Sequence, residues 1–528
     1  MKKISTTGRS MPMALNGMVV SSQPLASQAG LEVLKRGGNA IDATVAMAAV
    51  LNVTEPMSTG IGGDAYIMIY LAKAKELKAL NASGRAPYAA TPDYFTQERI
   101  TKIPDTGMLP VTVPGALDGW ATVLESYGTM SFKELLQPAI QYAEQGFPVG
   151  EKTAREWAKS RSKIAKHPNS TTQYLIKGKV PQAGEIFRQK NLAASLRKIT
   201  DEGKKAFYGG ELAEEIVRFS QQNGGLLAVE DFRDHKSTWV EPIHTSYRGH
   251  EVYEMPPNTQ GITVLEMLNM LEGFDAASLG YNTASYIHHL IEIKKLAFAD
   301  RDQYIADPEF AYVPVERLLS KSYAAERRSQ IDPNHAAEYP PGLGPVSGDT
   351  QYFCAVDKDG NAVSFINSLF EGFGCGMVGG NTGIMLQNRG KLFSLDPAHP
   401  NCIAPHKRSR HTIMPAMVFK NDRPFLIFGI TGGHMQPQAH VQFLANLIDF
   451  GMNIQEALEA ARVNHLEGSK VAIEAGIGVK VRQELRQKGH RVVSQANFGG
   501  GQAILIHPEY GTLIGGSDPR KDGCAMGF

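Results

Sequence analysis

Between Ile331 and Asp349 the chain reads "IDPNHAAEYPPGLGPVSGD", holding Pro333, Pro340, Pro341, Pro345 and three glycines with no apolar periodicity. No helix or central strand tolerates that composition, so about 331–349 should be an exposed, mobile connection. A plain linker explains it as well as a functional device does. The chain differs on its two sides. From about residue 130 to 330, segments such as "FKELLQPAIQYAEQG", "GGELAEEIVRFSQQN" and "ASYIHHLIEIKKLAFADRDQYI" carry helical apolar spacing. After Asp349 come strand-like runs, "TQYFCAVD", "AVSFINSLF", "TGIMLQN", "TIMPAMVFK", "PFLIFGI", "QAILIHP" and "GTLIGGSD", interrupted by one helix pair in "PQAHVQFLANLIDFGMNIQEALEAARV". Nearer the start, "MVVSS", "AYIMIYLA" and "LKALNAS" read as strands around two helices broken at Gly37-Gly38. Strands segregated from helices imply a layered α+β sandwich rather than a doubly wound parallel sheet.

The 528 residues, 42% hydrophobic and 20% charged, supply a large core. A formal net charge of +1 without blocks of like charge leaves no electrostatic footprint for nucleic acid or an anionic membrane. A small-molecule partner is expected instead. Ser, Thr, Gly and Arg follow the basic start where a signal peptide needs an apolar stretch, and the run near "VAMAAVLNV" is shorter than the about 20 residues that span a bilayer. A cytoplasmic protein is therefore expected. Cys354, Cys375, Cys402 and Cys524 form no CxxC or Cys/His cluster and are expected to be buried thiols.

Chemistry is suggested at two places. Thr350 opens a strand directly after the mobile stretch, the arrangement an N-terminal nucleophile needs before self-cleavage. Its hydroxyl can attack the Asp349 carbonyl and, after hydrolysis of the ester, expose an α-amine that titrates near pH 7.7–8.0 and can act as its own general base. Strand propensity alone also explains a threonine there. In "FGITGGHMQPQAH", an apolar strand runs through Gly432-Gly433 into a helix. Bare amides at the positive end of a helix suit a developing oxyanion, and a tight turn needing positive φ suits the same pair. His288, His289 and Glu292 in "IHHLIE" lack HExxH spacing, so no metal is expected; "STGIGGD" lacks a phosphate-loop lysine, so no nucleotide cofactor is expected either. The glycines of that second motif should form a packed turn near the pocket.

The blocks "GGNAIDATVAMAAVLNVTEPMSTGIGGDAYIMIY", "VPGALDGW", "KLAFADRDQYIADPEF", "DTQYFCAVDKDGNAVSF", "TGIMLQNRG", "TGGHMQPQ" and "GGSDPRKDG" occur in an order that resembles the γ-glutamyltransferase family of proenzymes over nearly the whole chain. The resemblance implies an N-terminal-nucleophile hydrolase built as an αββα four-layer sandwich. It also implies cleavage between Asp349 and Thr350, giving a large subunit 1–349 and a small subunit 350–528 that stay together. A homo-oligomer of such heterodimers is compatible with it. By resemblance Thr350 is the nucleophile, Ser368 stands where the family has a threonine bonded to the nucleophile's amine, and Gly432 and Gly433 form the oxyanion hole. No cofactor or metal is implied.

The departures from the family concern the acyl group. Ser83 in "NASGRAP" replaces the arginine that holds the substrate α-carboxylate in glutathione-cleaving members, and Arg85 lies two residues on. Arg389 and Leu392 in "LQNRGKLF" replace groups that grip the substrate ammonium, and His411-Thr412 stand where the family has paired serines. Arg85, Arg389, His411 and Thr412 are the expected substrate contacts. An arginine at 389 would favour an anionic acyl group without an ammonium, unless it serves a surface or subunit-interface salt bridge. Such changes are similar to a branch of glutathione hydrolase-like proenzymes, cephalosporin-acylase-like proteins and oxamate amidohydrolase. γ-Glutamyl, glutaryl and oxalyl amides, water or amine as acceptor, and an unprocessed idle member serving as a binding protein all remain open at the level of sequence.

Overall fold

The computed structural model describes residues 8–339, 349–496 and 498–528. Two antiparallel seven-stranded sheets form its centre. The first runs through Cys524–Gly527, Gly17–Ser21, Asp349–Asp357, Ala362–Phe370, Asp64–Leu71, Glu76–Ala82 and Thr238–Val240. The second runs through Met13–Ala14, Leu513–Ser517, Gly501–Ile506, Arg423–Ile430, Ala416–Lys420, His250–Glu254 and Ile243–Tyr247.

The two-residue period of the strand after Thr350 explains the stacking. Tyr352, Cys354 and Val356 enter the layer between the sheets with Met18, Val20, Tyr66, Met68, Met417, Ile427 and Ile504. Phe353 and Ala355 point the other way, into a layer that includes the helices Pro24–Lys35 and Ala40–Thr54. Asn39 and Asp42 close a capping box at the start of the second of these, just past the Gly37-Gly38 break. On the outer face of the second sheet lie Gly261–Glu272, Ala284–Tyr304 and Met435–Ile448. The result is the expected αββα sandwich.

Both sheets take strands from before and after Thr350, and the Asp349–Asp357 strand pairs directly with Gly17–Ser21. A cut at residue 350 would therefore leave two interlocked pieces, neither with a whole sheet. One expectation is corrected. "TGIMLQN" forms no strand: Gly383 has φ +72° against the Leu192 amide, and only Met385 makes an isolated bridge, to Val378. The start of the expected mobile stretch is tied down. His288 Nε2 lies 2.7 Å from the Asp332 carbonyl, Glu292 accepts from the Ala337 amide at 3.0 Å, and Lys488 donates to the Pro333 carbonyl at 2.6 Å. Residues 340–348 lie outside the described residues. Among the described residues no helix is long and apolar enough to cross a membrane. Cys354, Cys375 and Cys402 are buried as expected, and Cys524 only partly so.

Candidate active site

Thr350 lies where strand pairing slips. Asp349 is opposite Phe370 and Gln351 opposite Asn367, so the neighbouring strand carries an extra residue at this point. The irregularity brings Thr350 Oγ1 to 3.0 Å from Ser368 Oγ, with Thr350 almost fully buried. Ser368 Oγ also donates to the Asp349 carbonyl at 3.0 Å, so one hydroxyl stands between the Thr350 Oγ1 and that carbonyl. The Phe370 amide (2.8 Å) and Arg389 Nη2 (3.2 Å) donate to the same serine oxygen. Phe370 has φ +79°, an uncommon value for a bulky residue, and its ring lies 4.3 Å from the Arg389 guanidinium. Gly63 is required on the other side, because a Cβ there would meet the Ser368 carbonyl oxygen at 2.2 Å. The "STGIGGD" turn thus packs against the site.

Arg389 is not among the residues that line the cleft beside Asp349, and among the described residues it makes no surface salt bridge. It is fully buried and donates to Thr412 Oγ1 at 2.8 Å as well as to Ser368, and its Nε has no hydrogen-bond partner among the described residues. Burial pulls its pKa down to about 10. His411 is also inside, its Nε2 3.0 Å from Asp64 Oδ2, and burial together with the Arg389 charge pushes its pKa down to about 3. It is neutral at pH 7. Asp64 opposes Ser368 in the sheet and accepts from the Gly84 amide (2.8 Å) and Gln387 Nε2 (2.9 Å). Burial works against its charge, but the His411 hydrogen bond and the Arg389 charge outweigh burial and hold its pKa below the usual carboxylate range. Sequence reasoning missed Asp64 and Gln387; a polar residue at the first position of an apolar strand was the available signal for Asp64.

Arg85 stands elsewhere, bonded to Glu309 at 2.8 Å and the His406 carbonyl at 3.1 Å. The structure does not bring it to Thr350. His288 and Glu292 meet His490 rather than His289, but Glu292 is held by Lys295 at 2.6 Å and by the Ala337 amide. This cluster fastens the 332–339 segment.

A cleft of about 650 Å³ opens beside Asp349, lined among others by Thr431, Gly432, His434, Lys163 and Lys521. Gly432 (φ +121°) and Gly433 (φ +59°) turn the chain from the Arg423–Ile430 strand into the Met435–Ile448 helix. Neither amide finds an acceptor among the described residues. His434 Nδ1 accepts from Arg301 Nη1 at 2.9 Å, which fixes its remaining proton on Nε2.

Residues 26–528 match the family model described as Gamma-glutamyltranspeptidase. The chain is 42% identical to the glutathione hydrolase-like YwrD proenzyme of Bacillus subtilis (strain 168), covering 97% of this chain and 98% of that one. It is 33% identical to the oxamate amidohydrolase proenzyme of Klebsiella pneumoniae subsp. pneumoniae, covering 98% and 99%. The crystal structure of cephalosporin acylase from Bacillus halodurans superposes with a TM-score of 0.93 at 42% identity, over 99% of this chain and 98% of that one. With likeness along its whole length, the chain belongs to the gamma-glutamyltranspeptidase family and is an enzyme of the hydrolase and transferase type.

Proposed function

We propose that the protein is an autoprocessing N-terminal-threonine amidohydrolase that cuts itself between Asp349 and Thr350 and then cleaves small acyl amides through a threonyl ester. The observation that carries this reading is Ser368 Oγ, 3.0 Å from both Thr350 Oγ1 and the Asp349 carbonyl oxygen. One side chain orients the attacking hydroxyl and polarises the carbonyl under attack. Thr350 Oγ adds to that carbonyl, the C–N bond breaks to give an ester and a free α-amine, and water hydrolyses the ester. The amine then takes the Oγ proton in each later attack, and Gly432 and Gly433 supply amides for the oxyanion. Subunits 1–349 and 350–528 remain interlocked through their shared sheets. Denaturing electrophoresis and intact mass of purified protein test the first step, and release of amine from γ-glutamyl, glutaryl and oxalyl amides tests the second. One uncut chain without turnover would return the protein to the idle-member reading.

Arg389 acts in this scheme on the nucleophile rather than on the acyl group. Its guanidinium is linked through Ser368 to Thr350, and the neighbouring charges include Asp64 and Glu371 near Arg389 and Asp349 beside Thr350. A buried cation at that range disfavours the ammonium form of the Thr350 amine and so lowers its pKa. The amine must be neutral to act as base. Arg389→Gln should therefore raise its pKa and move the acidic limb of kcat/KM upward by about one pH unit. An unshifted limb in a processed Arg389→Gln enzyme would show that Arg389 does not tune the amine.

A further inference from the structure

The cations of the cleft are not equivalent. Arg520 is held by Glu474 and Asp518, Lys159 by Glu156, and Lys163 donates to the carbonyls of Gly372 and Gly374 at 2.8 and 3.0 Å. Lys521 stands in the same wall with its side chain 11% exposed, and among the described residues its ion pair is with Asp349 Oδ1 at 3.7 Å. The other carboxyls that act on Lys521 are Glu156, which is paired with Lys159, Asp518, which is paired with Arg462 and Arg520, and Glu55. Glu55 has no such cation of its own among the described residues. It is buried, accepts from Ser22 Oγ at 2.6 Å, and burial pushes its pKa up to about 8, so at neutrality it is mostly uncharged.

Asp349 is the residue that must leave. The carbonyl attacked in self-cleavage is its own, and a substrate acyl carbon reaches Thr350 only after that carbonyl has vacated the position. Lys521 is then a nearly buried ammonium facing the cleft without its carboxylate, a costly state that an incoming anion relieves. Asp349 also sets the spacing. Its carbonyl carbon, Cα, Cβ and carboxylate carbon form a succinyl unit, with the carboxylate between the Thr350 amide (3.0 Å) and Lys521 Nζ (3.7 Å) and the carbonyl on Ser368 Oγ.

We propose that Lys521 receives the far carboxylate of a dicarboxylic half-amide of succinyl or glutaryl length, and that Asp349 holds this receptor in the precursor. The proposal rests on the threonine amidohydrolase reading. Thr350 Oγ adds to the amide carbonyl, the amine departs with a proton, and water splits the ester to release the dicarboxylic acid and restore the hydroxyl. An oxalyl group, its carboxylate directly on the attacked carbonyl, is too short to reach Lys521.

The test uses succinyl-, glutaryl-, butyryl- and oxalyl-p-nitroanilide with the mature enzyme. The expected kcat/KM for the succinyl and glutaryl compounds exceeds that for butyryl by about 10- to 100-fold, carried in KM, as for hydrogen bonds to charged groups. The oxalyl compound should show no such gain. Lys521→Arg should keep the preference, and Lys521→Met should bring the succinyl-to-butyryl ratio to about one. Should Lys521→Met fail to fold or to cut itself, competition in the unsubstituted enzyme decides: free succinate and glutarate should inhibit at concentrations about 10-fold or more below butyrate. Equal rates for succinyl and butyryl substrates, a ratio untouched by Lys521→Met, or equal inhibition by butyrate overturns the proposal. If butyryl hydrolysis that depends on Thr350 persists in that case, the amidohydrolase reading survives. If no probe is cleaved and the chain stays whole, that reading has failed first.

Discussion

Thr350→Ala should leave the purified protein as one chain, where the unsubstituted protein should give two. Removing Oγ removes the atom that adds to the Asp349 carbonyl. Ser368 cannot replace it, because its proton is already given to that carbonyl and its oxygen accepts from the Phe370 amide and Arg389. The substitution is small and the site is nearly closed to solvent, so the cost in stability should be only about 1 kcal/mol and the fold should persist. Without cleavage there is no α-amine to serve as base, and amide hydrolysis should fall by about 10⁴ to 10⁶, the range seen when hydrolases lose their nucleophile. Thr350→Ser restores a hydroxyl and should restore both cleavage and turnover. Intact mass spectrometry reads the first effect and amine release the second. Cleavage of the alanine variant at the 349–350 bond would remove Thr350 from the mechanism.

Local sequence signals carried as far as local physics does. The period of two in "TQYFCAVD" and the break at Gly37-Gly38 act within a few residues, and the elements they announce are present. The break in pattern at 331–349 marked where a strand with a threonine at its head begins. What could not be read depends on contacts between residues far apart. Asp64 reaches His411 across 347 positions, and Gln387 reaches Asp64 across 323. Arg389 read as a substrate contact because it stands where the family grips the substrate ammonium, yet in the fold it bonds two hydroxyls and the face of Phe370. Lys521 carried no signal beyond its charge. Its meaning comes from Asp349, 172 positions earlier, which only the fold places beside it.

Gly433→Val should give a protein that still cuts itself but turns over about 10²- to 10³-fold more slowly, with the loss in kcat. Gly433 has φ +59°, where a β-branched residue is a genuine outlier, so valine must either strain the chain or rotate the neighbouring peptides. The Gly433 carbonyl is held by Gln260 Nε2 at 3.0 Å, so the adjustment must also strain the bond from the Met435 amide to the Gly432 carbonyl (3.0 Å) in the plane before it. That plane carries the Gly433 amide, one of two without an acceptor among the described residues. Self-cleavage should be less affected, because the Asp349 carbonyl already takes its hydrogen bond from Ser368 rather than from the glycines. The two steps therefore separate in one variant. Gly433→Ala, which meets the left-handed conformation at a cost of about 1–2 kcal/mol, should fall between the valine variant and the unsubstituted enzyme. A folded, two-chain Gly433→Val protein with kcat near that of the unsubstituted enzyme would place the oxyanion elsewhere. A variant that stays uncut would show that the same amides serve both steps.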